Sequence, residues 1–483
     1  MTALYIVLAV IGVAILGLIA VVLIRAINFK PKDNVKVQEN EENFDGDKVI
    51  SNLQQLVRCK TVSYTDSSKE DDAEFEKLYK LLPTLYPNVY KKCSLKTDFT
   101  GRGLLFKWEG KKHEAPTVLM AHYDVVPVVE KLWDKPPFEG IIENDVLWGR
   151  GSIDTKLTFN GALSAADHLI SQGYVPENDI YLAFSGGEEI NGPGAPSIVD
   201  WFESQKITPA LVVDEGGAVV EGVFPGVKEA CGMIGIAEKG MINLQYKVKS
   251  PGGHASAPRP NSPIPQLAKA TMAIENNPFP YHITKPVAEM YDTLGRRSNF
   301  VYRMIFANLW LFSGLLDGIC RKSGGQLNAL MRTTVAFTQQ QGSSAENVIP
   351  PEATMVTNIR LNPEDSVASA KEYIEKTINN PNVELTTLYS AEPSVVSETY
   401  CEAWDKVATA VASTWKGCIV SPYIMVQCSD SRHYGRISNH VYRFSAADMT
   451  QEEMNSIHGN NEKIRTSVIK KAVEFYIRLI KQC

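Results

Sequence analysis

Residues 117–124 read TVLMAHYD, residues 149–173 read GRGSIDTKLTFNGALSAADHLISQG, and residues 178–189 read NDIYLAFSGGEE. Two short apolar runs rich in strand formers flank a stretch with helical spacing, which is the pattern of a βαβ unit. Outward from it, APSIVDWFESQ (195–205) reads as a helix and ALVVDEGG (210–217) as a further strand. The alternation from about residue 47 to 238 predicts an α/β fold on a mostly parallel sheet covered on both faces. In such sheets ligands bind beyond the carboxyl ends of the strands. His122 and Asp124, Asp154, Glu188 and Glu189, and Asp214 and Glu215 all lie at such an end or in the loop after it, and His458 follows in NSIHGNNE (455–462).

A second pattern starts at residue 239 and runs to 394. MINLQYKVKS, TVAFTQQQG, ATMVTNIRL and VELTTLYSA read as strands, while PIPQLAKATMAIENN and SVASAKEYIEKTI have helical spacing. The order βαββαβ is that of a ferredoxin-like split unit, here expected as a lid or dimerisation domain interrupting the first. It carries an insertion at about 281–333 whose apolar stretch VYRMIFANLWLFSGLLDGI is short for a membrane span and holds Asn308. A helix packed on the core or on a partner is expected there. Residues 395–483 then complete the first domain.

Leu4 to Ile24 contains only apolar residues and glycine and is followed by Arg25, Lys30 and Lys32. Such a run can cross a hydrocarbon core of about 30 Å and reads as a single-pass transmembrane anchor at 4–24, with 25–46 as a polar tether. The competing reading is a cleaved signal peptide, against which stand the lack of a basic segment before the run and of a small-x-small cleavage site. The positive-inside rule leaves the rest of the chain on the cytoplasmic side, on three cations partly offset by Asp33. The side of the membrane stays open on so small a bias. No N-x-S/T sequon occurs.

The chain has 483 residues, 44% hydrophobic and 22% charged, with a formal net charge of -6. That supports more than one folded domain, and the scattered basic residues exclude a nucleic-acid surface. The eight cysteines never fall at zinc-knuckle or C-x-x-C spacing and read as individual thiols.

Imidazole nitrogen and carboxylate oxygen are zinc donors, and two metals sharing one bridging carboxylate need about five to six such residues from separate strand ends. His122 and Asp124 share a face because strand side chains alternate, so Asp124 can accept the second imidazole N–H and fix its tautomer. Asp154, in a glycine-punctuated loop before a helix, suits an N-cap and equally a bridging carboxylate. Glu188 and Glu189 would repel each other unless a cation is near. Glu189 is assigned to metal and Glu188 to general base, since a base must reach the attacking water without being tied up as a ligand.

The strings MAHYDVVPV, WGRGSIDTK, FSGGEEI, VVDEGG, PGGHASAP, ENVIPPEA, SDSRHY and IHGNNE resemble those of the cocatalytic zinc metallopeptidases that include aminoacylase, carboxypeptidase S and succinyl-diaminopimelate desuccinylase. The anchor and the ANLWLFSGLL insertion make the carboxypeptidase S branch, with its relatives the N-acyl amino acid amidohydrolases, the nearest likeness. The resemblance implies two zinc ions per chain, with His122, Asp154, Glu189 and His458 as ligands and Asp154 bridging. Asp124 would be the orienting acid and Glu188 the base. It offers Asp214 and Glu215 together at one ligand position, of which one should ligate. It further implies His254 as an oxyanion-stabilising group reaching a neighbouring site across a homodimer. Asn347, Arg360 and Arg432 match positions that hold the substrate, although Gln427-Cys428-Ser429-Asp430 departs from the usual glycine- and threonine-rich approach to Arg432.

The expected activity is hydrolysis of the amide bond of an N-acyl amino acid or of the C-terminal residue of a short peptide. The rival expectations are a catalytically silent, membrane-anchored binding protein and an amidohydrolase running in reverse as an N-acyl amino acid synthase.

Overall fold

The computed structural model describes residues 2–32 and 35–483; Asp33 and Asn34, within the expected tether, lie outside the described residues. An eight-stranded sheet runs in the order Ser94–Lys96, Leu104–Trp108, Asn178–Ser185, Lys112–His122, Leu211–Val220, Val441–Asp448, Cys231–Glu238, Ile419–Met425. Its centre is parallel: Lys112–His122 pairs in parallel with Asn178–Ser185 and Leu211–Val220, and Leu211–Val220 with Val441–Asp448. The sheet as a whole is mixed, where a mostly parallel one was expected. Ser94–Lys96 and Leu104–Trp108 pair antiparallel, and so do Leu211–Val220 and Cys231–Glu238. Each pair is joined by a link too short for the crossover of a dozen or more residues that parallel pairing requires.

Alternation along Lys112–His122 covers both faces. Leu119 and Ala121 enter the larger core with Leu163, Phe184, Phe475 and Tyr476, while Val118 and Met120 pack with Ile198, Val199 and Phe202 on the other side. Helix Lys156–Ser171 is buried along nearly its whole length, its small and apolar residues packing in the core while the buried Asn160 and Asp167 are hydrogen-bonded to Val49 O and Tyr86 Oη and to the amides of Asn88 and Val89. The buried Lys156 ammonium donates to the carbonyls of Leu56 (3.0 Å) and Cys59 (2.7 Å), closing the end of helix Gly46–Val57.

Residues 240–391 contain a separate four-stranded antiparallel sheet, ordered Thr334–Gln341, Glu352–Leu361, Gly240–Lys249, Glu384–Ala391. Helices Pro263–Asn276 and Val367–Ile378 cover it through Leu267, Ile274, Ala370 and Ile374. Glu238 ends a strand of the first sheet and Gly240 begins one of the second. Lys239 between them is buried, its ammonium donating to the carbonyls of Ala329 and Arg332.

The N-terminal helix Thr2–Asn28 is largely apolar and mostly exposed, with Val22 and Ala26 buried. The 301–319 stretch is two helices, Phe300–Phe306 and Leu309–Ser323, bent by 109°, where a single helix was expected. Asn308 sits at the bend: its side-chain Nδ2 donates to Met304 O and Val22 O, and its main-chain carbonyl accepts from the Leu311 and Phe312 amides to start the next helix. All eight cysteines are free thiols.

Candidate metal centre

His122 ends its strand opposite Ser185 in the parallel register, so the loop after Ser185 brings Glu188 and Glu189 beside it. Gly186 is required there, since a Cβ would come within 2.7 Å of the Tyr123 ring. Leu119 pairs with Val213, which places Asp214 and Glu215 at the same sheet edge. The two side chains diverge. Glu215 Oε1 lies 3.2 Å from His122 Nε2, whereas Asp214 Oδ2 accepts from the Ser431 amide at 2.9 Å behind the cluster. Of the two candidates, Glu215 faces the other donors and Asp214 does not.

Asp154 lies between two groups. Its Oδ1 is 3.0 Å from His122 Nε2 and its Oδ2 is 3.0 Å from His458 Nε2. His458 Nε2 is also 3.0 Å from Glu189 Oε2. Two sets of three donors result, His122–Asp154–Glu215 and Asp154–Glu189–His458, each drawn within 4.8 Å and joined at Asp154. His458 holds its place in a left-handed conformation, φ +58°, uncommon for a residue with a side chain and a recurrent feature of functional sites.

Asp124 is fully buried under this layer. Its main-chain oxygen lies 3.0 Å and its Oδ1 3.3 Å from His122 Nδ1, and its carboxylate accepts from Ser63 Oγ and the amides of Glu188 and Glu189. One carboxylate therefore ties the histidine to the loop carrying both glutamates.

The acids crowd one another, and in the metal-free site protons compensate their charge. Burial pushes the Glu215 carboxyl up to about 8, and burial with the surrounding acids Asp430, Glu215 and Glu189 holds Glu188 well above its usual range. Burial alone would lower His122, but Glu215, Asp124 and Asp154 outweigh it and hold the imidazolium well above the ordinary value. Hydrogen bonds to Asp154 and Glu189 raise His458 to about 10. Protons on the imidazoles thus stand where divalent cations would fit, and Glu189 Oε1 is buried without a partner. Nitrogen and carboxylate oxygen donors in two triads with a shared carboxylate suit a pair of such ions.

The expected substrate residues separate into two places. Arg432 lies beside the cluster, Nη2 3.9 Å from Glu188 Oε1 and 3.2 Å from Asn191 Oδ1, with Nε and Nη1 buried and unpartnered. Arg360 donates to Asn358 and, at 3.2 Å, to Cys428 Sγ, near Lys239, whose ammonium burial lowers to about 7. His254 and Asn347 stand together elsewhere, at the edge where Gly253–His254 pairs with Val348–Ile349, and His254 Nδ1 bonds Ser256 Oγ at 2.7 Å.

Some residues at the site lie in the motifs read from the sequence but had no role assigned there. Glu462, fully buried, accepts from the amides of Gly151, Ile153 and Asp154 and from Arg150 Nη1. Gly151, at φ +82°, turns the loop so that these amides converge. Asp430, pushed up to about 7 by burial, accepts from Ser185 Oγ. Glu462 closes the motif IHGNNE, but in so polar a loop its residue type does not tell a buried glutamate from a solvated one.

A family model described as Peptidase family M20/M25/M40 matches residues 118–482. The chain is 32% identical over 482 residues to "Probable carboxypeptidase S-like 2" of Dictyostelium discoideum, covering 97% of this chain and 92% of that one. It is 33% identical over 479 residues to "N-fatty-acyl-amino acid synthase/hydrolase PM20D1" of Xenopus tropicalis, covering 97% and 93%. Among solved structures, an M20 family metallo-carboxypeptidase of Sulfolobus solfataricus shares the fold with TM-score 0.66 at 17% identity, over 90% of this chain and 98% of that one. A Bacillus subtilis protein described as a dinuclear metal binding peptidase from the M20 family superimposes with TM-score 0.55 at 12% identity, over 90% and 97%. With the family model covering most of its length and these relatives matching nearly end to end, the chain belongs to peptidase family M20/M25/M40, in the branch of the carboxypeptidase S-like and N-fatty-acyl-amino acid proteins, and is an enzyme of the metallopeptidase and amidohydrolase type.

Proposed function

We propose that the chain hydrolyses the amide bond of N-acyl amino acids or of the C-terminal residue of short peptides, at a site holding two zinc ions. The observation that carries this reading is the division of Asp154 between two donor triads, Oδ1 toward His122 and Oδ2 toward His458. His122, Asp154 and Glu215 would hold one ion and Asp154, Glu189 and His458 the other, with Asp124 orienting His122. When bound, such ions polarise the scissile carbonyl and lower the pKa of water.

Glu188, close to the cluster but in neither triad, takes a proton from the attacking water at its carboxylate and passes it to the departing amine nitrogen. Arg432, with two buried guanidinium nitrogens unpartnered, suits the free carboxylate of the substrate, and Arg360 beside Cys428 extends that cationic wall. His254 and Asn347, set apart from the cluster in their own chain, fit the reading in which the residue 239–394 unit is a lid and dimerisation domain that presents His254 to the site of a second copy. The exposed apolar helix Thr2–Asn28 fits a single-pass membrane anchor.

The relative named as both synthase and hydrolase favours a second direction, in which the same site condenses a free carboxylic acid with the amine of an amino acid, forming the amide and releasing water. The test is amine release by the full chain in detergent micelles, with zinc supplied, from matched N-fatty-acyl amino acids and N-blocked dipeptides, with and without chelator. Chelator-sensitive release from either class supports hydrolysis and names the substrate. Absence of release by zinc-loaded protein, together with amide formation from free acid and amine, assigns the synthetic direction. Absence of both sinks the enzymatic reading of these substrates.

A further inference from the structure

We propose that the bent helix pair Phe300–Phe306 and Leu309–Ser323 is a bilayer-docking element, lying in the interface of the membrane that the N-terminal helix crosses. The helix Leu309–Ser323 turns Trp310, Leu311, Gly314, Leu315, Gly318 and Ile319 outward, and between residues 310 and 319 every exposed residue is apolar or glycine. A helix face meeting water carries polar side chains. Its opposite face is satisfied, since Leu309 and Leu316 pack with Phe224, Tyr291 and Phe306. The preceding helix adds exposed Phe300, Val301 and Tyr302.

What covers this face is indicated by its junction with the N-terminal helix. Asn308 Nδ2 donates to Val22 O and Arg25 Nε to Ala307 O, each at 3.1 Å. The corner between the two helices is thereby fixed beside the last turns of the apolar run. At 1.5 Å per residue, Leu4 to Val22 rises about 27 Å, close to the hydrocarbon thickness of about 30 Å. A chain with its N-terminal helix across a bilayer therefore has this corner at the near boundary, with Trp310 in the zone where tryptophan concentrates.

Charge agrees with that placement. Asp317 is paired with Arg332, and Asp292 with Lys32 and Arg296. Exposed Arg321 and Lys322 end the helix, and the Arg303 guanidinium lies over the Phe300 ring, a cationic border suited to lipid phosphates. The proposal rests on the N-terminal helix being a membrane span and is independent of the catalytic reading.

The test uses the full chain in phosphatidylcholine and phosphatidylglycerol vesicles, with photoreactive benzoylphenylalanine replacing, in turn, Trp310, Leu315, Ile15 in the span, and Leu95 on the opposite edge of the large sheet. Lipid adducts from positions 310 and 315 as strong as those from 15, and their loss at 95, are expected. Adducts at 15 but none at 310 and 315 overturn the docking while leaving the anchor in place. Chain-to-chain adducts at 310 and 315 also overturn it, assigning the Gly314-x-x-x-Gly318 face to a second copy. Absence of lipid adducts at all four positions removes the span and the proposal together, whatever the protein's activity.

Discussion

Arg150 and Glu462, both buried, form an ion pair at 2.7 Å that binds the loop carrying Asp154 to the loop carrying His458. Arg150 Nη2 also donates to Gly459 O at 2.6 Å, and the Gly149 amide to Glu462 O. The loops that supply two of the three donors of the Asp154–Glu189–His458 triad are therefore positioned by one another.

Glu462→Gln leaves the Arg150 guanidinium buried beside a neutral partner. Removing one side of a buried pair costs about 3–5 kcal/mol, while replacing both sides is often far cheaper. The variant should melt well below the parent and bind its second metal more weakly. Adding Arg150→Met should restore part of the melting temperature without restoring metal affinity. Calorimetric unfolding and metal titration check both outcomes, and additive losses in the double variant would refute the coupling.

Asp214 and Glu215 should behave differently despite being neighbours. Glu215→Gln should lower bound metal from two equivalents toward one, whereas Asp214→Asn should keep both while loosening the contact to Ser431. Metal analysis after gel filtration decides, and equal metal loss in both variants would contradict the geometry.

Glu188→Gln should retain metal and lower turnover by about 10²–10⁴-fold, the usual worth of a positioned general base. The same variant should still bind substrate, measured by product-independent calorimetry with the intact amide.

The metal-free protein should lose stability as pH rises. Glu215 is raised to about 8 and His458 to about 10 in the folded chain, against about 4.3 and 6.5 in an unfolded one. The folded state thus holds more protons between those values. This contribution is complete below the unfolded pKa values and is lost as pH climbs through the folded ones. A melting temperature that falls from about pH 4 to pH 10, most steeply between about pH 6.5 and pH 8 where both groups contribute, is expected without metal, and a flatter profile with zinc bound, since the cation replaces the protons. Proton release on zinc binding, read by calorimetry in buffers of different ionisation heat, should accompany it.

Arg432→Ala should raise KM for substrates with a free carboxylate by about 10–100-fold, the worth of hydrogen bonds to a charged group of about 1.5–3 kcal/mol. Carboxamide-capped analogues should show little change. Equal losses for both substrates would mean that Arg432 supports Glu188 instead of reading the carboxylate.

The sequence by itself determined the features that follow from short-range rules. The alternation of Leu119 and Ala121 against Val118 and Met120 marks a two-sided central strand, and strand-end position marks His122, Glu188, Glu189 and Asp214–Glu215 as candidates, because parallel sheets collect ligands at that edge. Tertiary structure alone decided the rest. Asp214 and Glu215 are adjacent and chemically alike, and only the pairing of their strand beside Lys112–His122 turned one toward the donors and the other toward Ser431. Glu462 meets Arg150 across more than three hundred residues, a contact that no local pattern records. At the break, the Asn308 side-chain amide donates to Val22 O of a helix distant in sequence. Side-chain period and strand ends are set by nearest-neighbour geometry and can be read along a line, whereas charge compensation and the partner of a buried polar atom are set by which segments the fold brings together.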